Sequence, residues 1–168
     1  VRTISNIVDA TNYAMIELGE PLHAFDYDVL KERAGDKKVK IITRAAAEGE
    51  KLKTLDGTER TLTAMNVLVC DEKGSLSLAG VMGGSESEVT DQTKNILLEG
   101  AAWNFINIRR TAKQHNLPSE ASFRFSRGVH PALADQGVNL GLKYMADWSG
   151  GQIAPGLVDE YPLQPKDS

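Results

Sequence analysis

The fold is decided by the stretch from position 67 to position 84, which reads Val67-Leu68-Val69-Cys70-Asp71-Glu72-Lys73-Gly74-Ser75-Leu76-Ser77-Leu78-Ala79-Gly80-Val81-Met82-Gly83-Gly84. Two apolar runs, at 67–71 and 75–79, flank a short polar segment, and this pattern is typical of two neighbouring strands. Glycines follow the second run, where they permit a tight turn and a close approach of a ligand to the backbone. The stretch therefore predicts a sheet near the middle of the chain with a glycine-rich loop at its end.

Further elements are expected on both sides of this sheet. The segment 51–62 predicts a β-hairpin, because Asp56-Gly57 supplies the positive φ that a tight turn requires. Hydrophobic periodicity predicts strands at 39–43 and 95–99, an edge strand at 152–161, and helices at 5–18, 104–115 and 131–148. A polar, flexible tail is expected at 162–168. Strands in the middle with helices outside them indicate the α+β class.

The bulk composition is that of one compact globular domain. The chain has 168 residues, of which 41% are hydrophobic and 25% charged. Its single cysteine, Cys70, lies in an apolar run, so a buried structural thiol in a reducing compartment is expected. No CxxC pair or closely spaced histidines indicate a metal site. No apolar stretch reaches the roughly 20 residues of a membrane helix, which favours a cytoplasmic protein.

Charge is unevenly distributed along the chain. The net charge is −4, which argues against indiscriminate binding to nucleic acid, including DNA. Between positions 104 and 128, however, one acidic residue stands against five basic residues, namely Arg109, Arg110, Lys113, Arg124 and Arg127. Such a patch fits contact with a phosphate backbone, and it also fits a solvated helix face with structural ion pairs.

Several polar residues stand at the ends of apolar segments. Glu99 ends the apolar run 96–98, where a carboxylate is costly unless it is paired, faces a polar cavity or reaches the surface. His23 lies in a proline-started loop and could orient a water, contact RNA or bond to neighbouring backbone. Thr11 and Asn12 place a hydroxyl and an amide within the first helix, where neither residue is favoured. The glycine-rich loop lacks the spacing of a phosphate loop, so it is either a ligand-binding wall or a plain turn.

Four of these patches, in this order, resemble the B3/B4 region of the bacterial-type phenylalanyl-tRNA synthetase β subunit. They are Thr11-Asn12-Tyr13 with Pro21-Leu22-His23-Ala24-Phe25-Asp26, Leu78-Ala79-Gly80-Val81-Met82-Gly83-Gly84, Ile96-Leu97-Leu98-Glu99-Gly100-Ala101, and Ser119-Glu120-Ala121-Ser122-Phe123-Arg124-Phe125. The resemblance spans nearly the whole chain. It implies a closed or nearly closed β-barrel core of mixed strands, decorated by helices. It also implies an editing module that hydrolyses tyrosine wrongly attached to the phenylalanine tRNA.

The resemblance further implies the roles of individual residues. Glu99 would recognise the tyrosine hydroxyl, and Ala79, Gly80, Gly83, Ser119 and Ala121 would form the substrate pocket. His23, Thr11 and Asn12 would position the water and the substrate. Arg109, Lys113 and Arg124 would contact tRNA. Serine at position 119 keeps the hydroxyl of the threonine that the family often has there.

The residues themselves indicate no classical catalytic apparatus. No Ser-His-Asp set, reactive cysteine or metal cluster can be assembled, so hydrolysis would depend on positioning a water beside an already activated ester. No aminoacylation motif is recognisable, so ATP and Mg²⁺ are expected only for a full synthetase. The expected partners are the acceptor end of tRNA(Phe), the rest of the β subunit and the α subunit. The competing interpretations are a non-catalytic RNA- or protein-binding module, and a module that needs the rest of the synthetase to present the tRNA.

Overall fold

The computed structural model describes residues 3–161, in which helices enclose short antiparallel strands. The helices are α1 (Asn6–Leu18), α2 (Tyr27–Ala34), α3 (Phe105–Gln114), α4 (Glu120–Phe125) and α5 (Ala132–Ser149). The strands are β1 (Leu22–Asp26), β2 (Ile42–Ala45), β3 (Lys51–Lys53), β4 (Glu59–Thr61), β5 (Val67–Cys70), β6 (Ser75–Leu78), β7 (Met82–Gly83) and β8 (Ile96–Gly100). The α+β class predicted from the sequence is therefore confirmed.

The described strands form three open sheets, and the expected closed barrel is not among them. β1 pairs with β8, β3 pairs with β4, and the central sheet has the order β2-β5-β6-β7. Every one of these pairings is antiparallel. The central sheet stays open because β2 pairs only with β5 and the two-residue β7 pairs only with β6. A single bridge, Thr54↔Gly84, links the β3–β4 hairpin to the far edge.

Local side-chain bonds fix where the helices begin and end. Ser5 caps α1 by accepting a hydrogen bond from the Val8 N–H at 3.3 Å, and Gly19 ends that helix with a φ of 79°. The Asn104 side chain accepts from the first N–H groups of α3. Ser119 and Ser122 form a reciprocal capping box at the start of α4. These short polar signals were readable in the sequence, and they position the elements around the pocket described below.

The core lies between the central sheet and the helices α2, α3 and α4. One apolar cluster gathers Leu62, Leu68, Leu78, Ile108 and Phe125, and a second gathers Phe25, Leu30, Val69, Leu76 and Ala79. Cys70 is 1% exposed, which confirms the expected buried thiol. Helices α1 and α5 pack together over the β1–β8 pair and close the other side of that ribbon.

Several boundaries differ from the sequence-based predictions. The segment 22–26 was expected to be a loop and is strand β1, because β8 supplies a hydrogen-bonding partner from far along the chain. The strand expected at 39–43 lies at 42–45. Residues 152–161 form no strand. The tail expected at 162–168 lies outside the described residues. None of the helices described is long and apolar enough to cross a membrane.

Candidate functional site

The candidate site is a narrow pocket where the β1–β8 ribbon faces the turn between β6 and β7. Its cavity volume is about 90 Å³. The lining residues are Pro21, Leu22 and His23 from the start of β1, Ser77, Leu78, Gly80, Val81, Met82 and Gly83 from the turn, Glu99 from β8, and Trp103, Ala121 and Phe125. The pocket thus combines apolar and aromatic walls with one imidazole and one carboxyl group.

His23 and Glu99 face the pocket from directly opposed positions of the ribbon. The register of β1 and β8 pairs His23 with Glu99. Within residues 3–161, the His23 Nε2 and the Glu99 Oε2 are both covered from solvent and make no hydrogen bond, although each residue as a whole is only half-buried. Phe25 packs against the imidazole edge-to-face at 4.4 Å between ring centroids. The pocket wall therefore holds two polar atoms that are available to form hydrogen bonds with a ligand.

Burial sets the protonation of both groups. It lowers the pKa of His23 to about 4, so the imidazole is neutral at physiological pH. It raises the pKa of Glu99 to about 7, because no cation or donor compensates the loss of water around the carboxylate. Perturbed groups of this kind, in a pocket, are typical of functional sites.

Two glycines allow the turn to approach the ribbon and the core. A Cβ on Gly83 would lie 2.5 Å from the His23 Cε1, so only glycine admits the imidazole in its present position. Gly80 has a φ of +66°, and a Cβ there would lie 2.7 Å from both Ile108 and Trp103. A large side chain at position 80 would therefore disturb the core as well as the pocket.

Ser119 attaches helix α4 to the same turn. Its Oγ donates a hydrogen bond to the Val81 carbonyl at 2.7 Å. It also accepts one from the Ser122 N–H at 3.0 Å, as the cap of α4. The hydroxyl does not itself line the cavity, but it holds the helix so that Ala121 does.

The structure brings together five of the predicted site residues and places four beside or away from the pocket. His23, Glu99, Gly80, Gly83 and Ala121 line the cavity, whereas Ser119, Thr11, Asn12 and Ala79 do not. The buried Thr11 hydroxyl donates to the Val8 carbonyl at 2.7 Å within α1, and Asn12 lies on the same helix. Ala79 packs in the core cluster of Phe25 and Leu76.

The apolar walls were not found by sequence reasoning. Trp103 lies outside the patches that carry the resemblance, and Leu22, Met82 and Phe125 lie within them but were given no role. The fold brings all four to one place. One usable signal was the position of Trp103, which lies in the short segment between the strand that carries Glu99 and helix α3. Among the described residues, no group of three or more potential ligands could hold a metal ion.

The predicted RNA-contacting residues lie on α3 and α4, where apolar rings are exposed among them. Arg109 donates to the Ser126 carbonyl at 2.8 Å, and Arg124 pairs with Glu120 at 2.5 Å. Lys113 is exposed on α3. The guanidinium of Arg127 stacks 3.4 Å from the centroid of Phe123, a ring that is 57% exposed. Cationic groups beside exposed rings are typical of surfaces that bind single-stranded nucleic acid.

Comparison with known proteins places this architecture in a family. The model of the B3/4 domain matches residues 1–150. The phenylalanine–tRNA ligase β subunit of Geobacter sulfurreducens is 45% identical over 162 residues, which are 96% of this chain and 20% of that protein. The β subunit from Dehalococcoides mccartyi strain 195 is 46% identical over 164 residues, 98% of this chain and 20% of its own. The β subunit from Moorella thermoacetica is 47% identical over 165 residues, which cover 96% of this chain and 19% of that protein.

The chain thus spans about a fifth of the length of the curated relatives that it matches. The family match covers every element that lines the pocket, from β1 to α4. This chain belongs to the B3/4 domain family.

Proposed function

We propose that this chain is the editing region of a phenylalanine–tRNA ligase β subunit and hydrolyses tyrosine esterified to tRNA(Phe). The observation that carries the proposal is the Glu99 carboxyl, which stands in an aromatic-lined pocket with a covered and unpartnered oxygen. The β-subunit relatives support the assignment of the enzyme. The site supports the reaction, as follows.

Glu99 is suited to select tyrosine over phenylalanine. The two amino acids differ by one phenolic hydroxyl, and an apolar pocket alone discriminates weakly between them. A site built to bond that hydroxyl rejects the analogue that lacks it by about 10⁴-fold or more, because its own polar group is left unpaired. A carboxylate that accepts a hydrogen bond from the phenol O–H makes a charge-assisted bond, which compensates the burial that now raises the pKa of Glu99.

His23 is suited to position the attacking water. Burial holds the pKa of His23 at about 4, so the imidazole is neutral. A neutral imidazole has one nitrogen that accepts a hydrogen bond and one N–H that donates, and either can hold a water. An aminoacyl ester is already activated, so placing a water against its carbonyl supplies much of the rate enhancement without a protein nucleophile. The free hydroxyl of the terminal ribose completes a substrate-assisted hydrolysis. Thr11 and Asn12 stay predictions as further positioning groups, and their place on α1 assigns them no direct contact with the pocket.

The partners follow from the same assignment. The exposed cationic and aromatic side chains of α3 and α4 would meet the acceptor end of the tRNA. The rest of the β subunit and the α subunit would hold the tRNA body, and ATP with Mg²⁺ would be used only there. A non-catalytic RNA-binding module of the same fold is the competing function.

The test is deacylation of tyrosyl-tRNA(Phe) and phenylalanyl-tRNA(Phe) by the wild type and by Glu99→Ala. We expect the wild type to hydrolyse the tyrosyl ester preferentially, and the variant to lose most of that rate and of the preference. Glu88→Ala, which removes an exposed glutamate, should change neither. A preference that survives Glu99→Ala would overturn the assignment of Glu99.

The same assay separates the competing functions. Tight tRNA binding without turnover would support the non-catalytic module. Turnover that appears only within the complete synthetase would show that the rest of the enzyme must present the tRNA end.

A further inference from the structure

A second and larger cavity lies beside Trp103. Its volume is about 300 Å³, at the lower end of the range of small-molecule pockets. Met65, Val67, Ile106, Asn107 and Arg110 contribute to its walls. Trp103 lines both this cavity and the pocket of His23 and Glu99, so the two share a wall. The proposed hydrolysis makes no use of this cavity.

The walls of the cavity are mainly apolar, with Asn104, Asn107 and Arg110 as the polar exceptions. Ile106 is 47% exposed and Met65 37%, which is high for such large apolar side chains. The Asn107 Nδ2 donates to the Met65 carbonyl at 2.6 Å, which ties α3 to the segment before β5. The cavity therefore offers a ligand an interior that is mainly apolar.

The rim of the cavity is cationic. Helix α3 carries Arg109, Arg110 and Lys113 and no acidic residue. Arg109 is bonded to the Ser126 carbonyl, whereas within residues 3–161 the Arg110 guanidinium has no hydrogen-bond or ion-pair partner. An apolar slot with an available guanidinium at its edge suits a flat, weakly polar ring attached to an anion. A nucleotide has both parts, since its base can enter the slot while its phosphate pairs with arginine.

We propose that this cavity binds a nucleobase of the single-stranded RNA segment that carries the aminoacyl ester, with the adjacent phosphate on Arg110. The inference rests on the proposed function and deepens it. A strand whose esterified end enters the pocket of His23 and Glu99 passes the shared Trp103 wall and brings a neighbouring nucleotide to the second cavity. The base then contributes affinity without being read by hydrogen bonds, so sequence preference is low.

The probes for the test are a ribotrinucleotide and an abasic analogue with the same phosphates. A Trp148→Phe background leaves Trp103 as the sole tryptophan, so its fluorescence reports occupancy of the cavity. We expect the ribotrinucleotide to quench Trp103 and to bind more tightly than the abasic analogue. Ile106→Ala and Met65→Ala should each weaken binding of the ribotrinucleotide by roughly fivefold and leave the abasic analogue unchanged.

The remaining variants separate the base from the phosphate. Arg110→Ala should weaken binding of both probes, because it removes a phosphate contact. Ile16→Ala, which trims an exposed isoleucine of α1 that lines neither cavity, should weaken neither. The replaced side chains are exposed, and equal melting temperatures would show that each variant is folded.

Three results would overturn the proposal: equal affinities of the wild type for the two probes, no loss in both Ile106→Ala and Met65→Ala, or equally tight binding of an acidic tripeptide. Deacylation is measured separately, so the two proposals can fail independently. Ester hydrolysis together with equal binding of the ribotrinucleotide and the abasic analogue would overturn the nucleobase site alone. Base-dependent binding without hydrolysis would overturn the editing activity alone.

Discussion

At the scale of single residues, three ionisable groups in residues 3–161 are left by burial without hydrogen-bond partners. His23 and Glu99 belong to the pocket, but Glu20 does not line it. Glu20 is fully buried, and within the described residues neither of its carboxyl oxygens makes a hydrogen bond. Its side chain packs against Gly137 of α5, where a Cβ would lie 2.6 Å from the Glu20 Cγ. Burial raises the pKa of Glu20 to about 7, and the backbone amide of Ala101 offsets part of that rise.

Glu20 should make the stability of the fold depend on pH. Between its ordinary pKa of 4.5 and about 7, the folded chain keeps a proton that the unfolded chain has released. The contribution of Glu20 is therefore fully present below pH 4.5 and is lost as the pH rises to about 7. Glu20→Gln should remove this dependence and raise the free energy of unfolding at pH 8 by up to about 3 kcal/mol relative to the wild type.

Urea unfolding of both proteins at pH 5 and pH 8 measures this effect. Glu99 and His23 titrate over overlapping ranges, but they are common to both proteins and cancel in the comparison. A difference between wild type and variant that is the same at both pH values would show that Glu20 is ionised in the folded chain.

At the scale of elements, local signals were predictive and long-range pairing was not. The β3–β4 hairpin follows from the turn residues at 56 and 57, and α3 from its Asn104 cap, so both could be predicted within a residue or two. Strand β1 contains a histidine and an aspartate in five residues, and only β8 makes it a strand. Five residues of the candidate pocket were predicted by resemblance, whereas its apolar walls come from strand pairing and packing that no local pattern encodes.

The cap of α4 should matter for both stability and activity. Ser119→Ala removes the capping oxygen and the bond to the Val81 carbonyl, which should lower the free energy of unfolding by about 1 kcal/mol. It should also reduce hydrolysis of the tyrosyl ester, because Ala121 and the turn would no longer be held together. Ser119→Thr keeps the hydroxyl and should retain most of both properties. Urea unfolding and deacylation rates of both variants measure these effects. Full activity in Ser119→Ala would show that the Ser119 hydroxyl is not needed to position α4 for hydrolysis.

At the scale of the whole molecule, the basic residues of α3 lie beside the second cavity. The chain carries a net charge of −4, yet the charged residues of α3 are all basic. The same helix contributes Ile106, Asn107 and Arg110 to the wall of the second cavity, beside Trp103. The remaining acidic surface would repel a phosphate backbone, so an RNA strand would be directed to the α3 side.

Replacing Arg109 and Lys113 together with alanine should therefore weaken tRNA binding. The slope of log affinity against log salt concentration should flatten by roughly one unit for each phosphate that the protein no longer neutralises. The matched control replaces Lys37 and Lys40, which pair with Glu72, with alanine. This double variant removes the same amount of positive charge at a different place on the surface. Equal losses in both double variants would mean that net charge, rather than the α3 surface, determines affinity.

The pairing of β1 with β8 also sets the order in which the molecule can be completed during synthesis. The entire central sheet and the hairpin lie between these two strands in sequence, and β1 has no other strand partner in the described chain. Closing so long a loop is entropically costly and slow compared with forming the hairpin. A nascent chain that has not yet reached residue 96 can form the hairpin and the central sheet, but it has no ribbon to hold His23 opposite Glu99. Within the described residues, the pocket can thus form only after the hairpin and the central sheet have been synthesised.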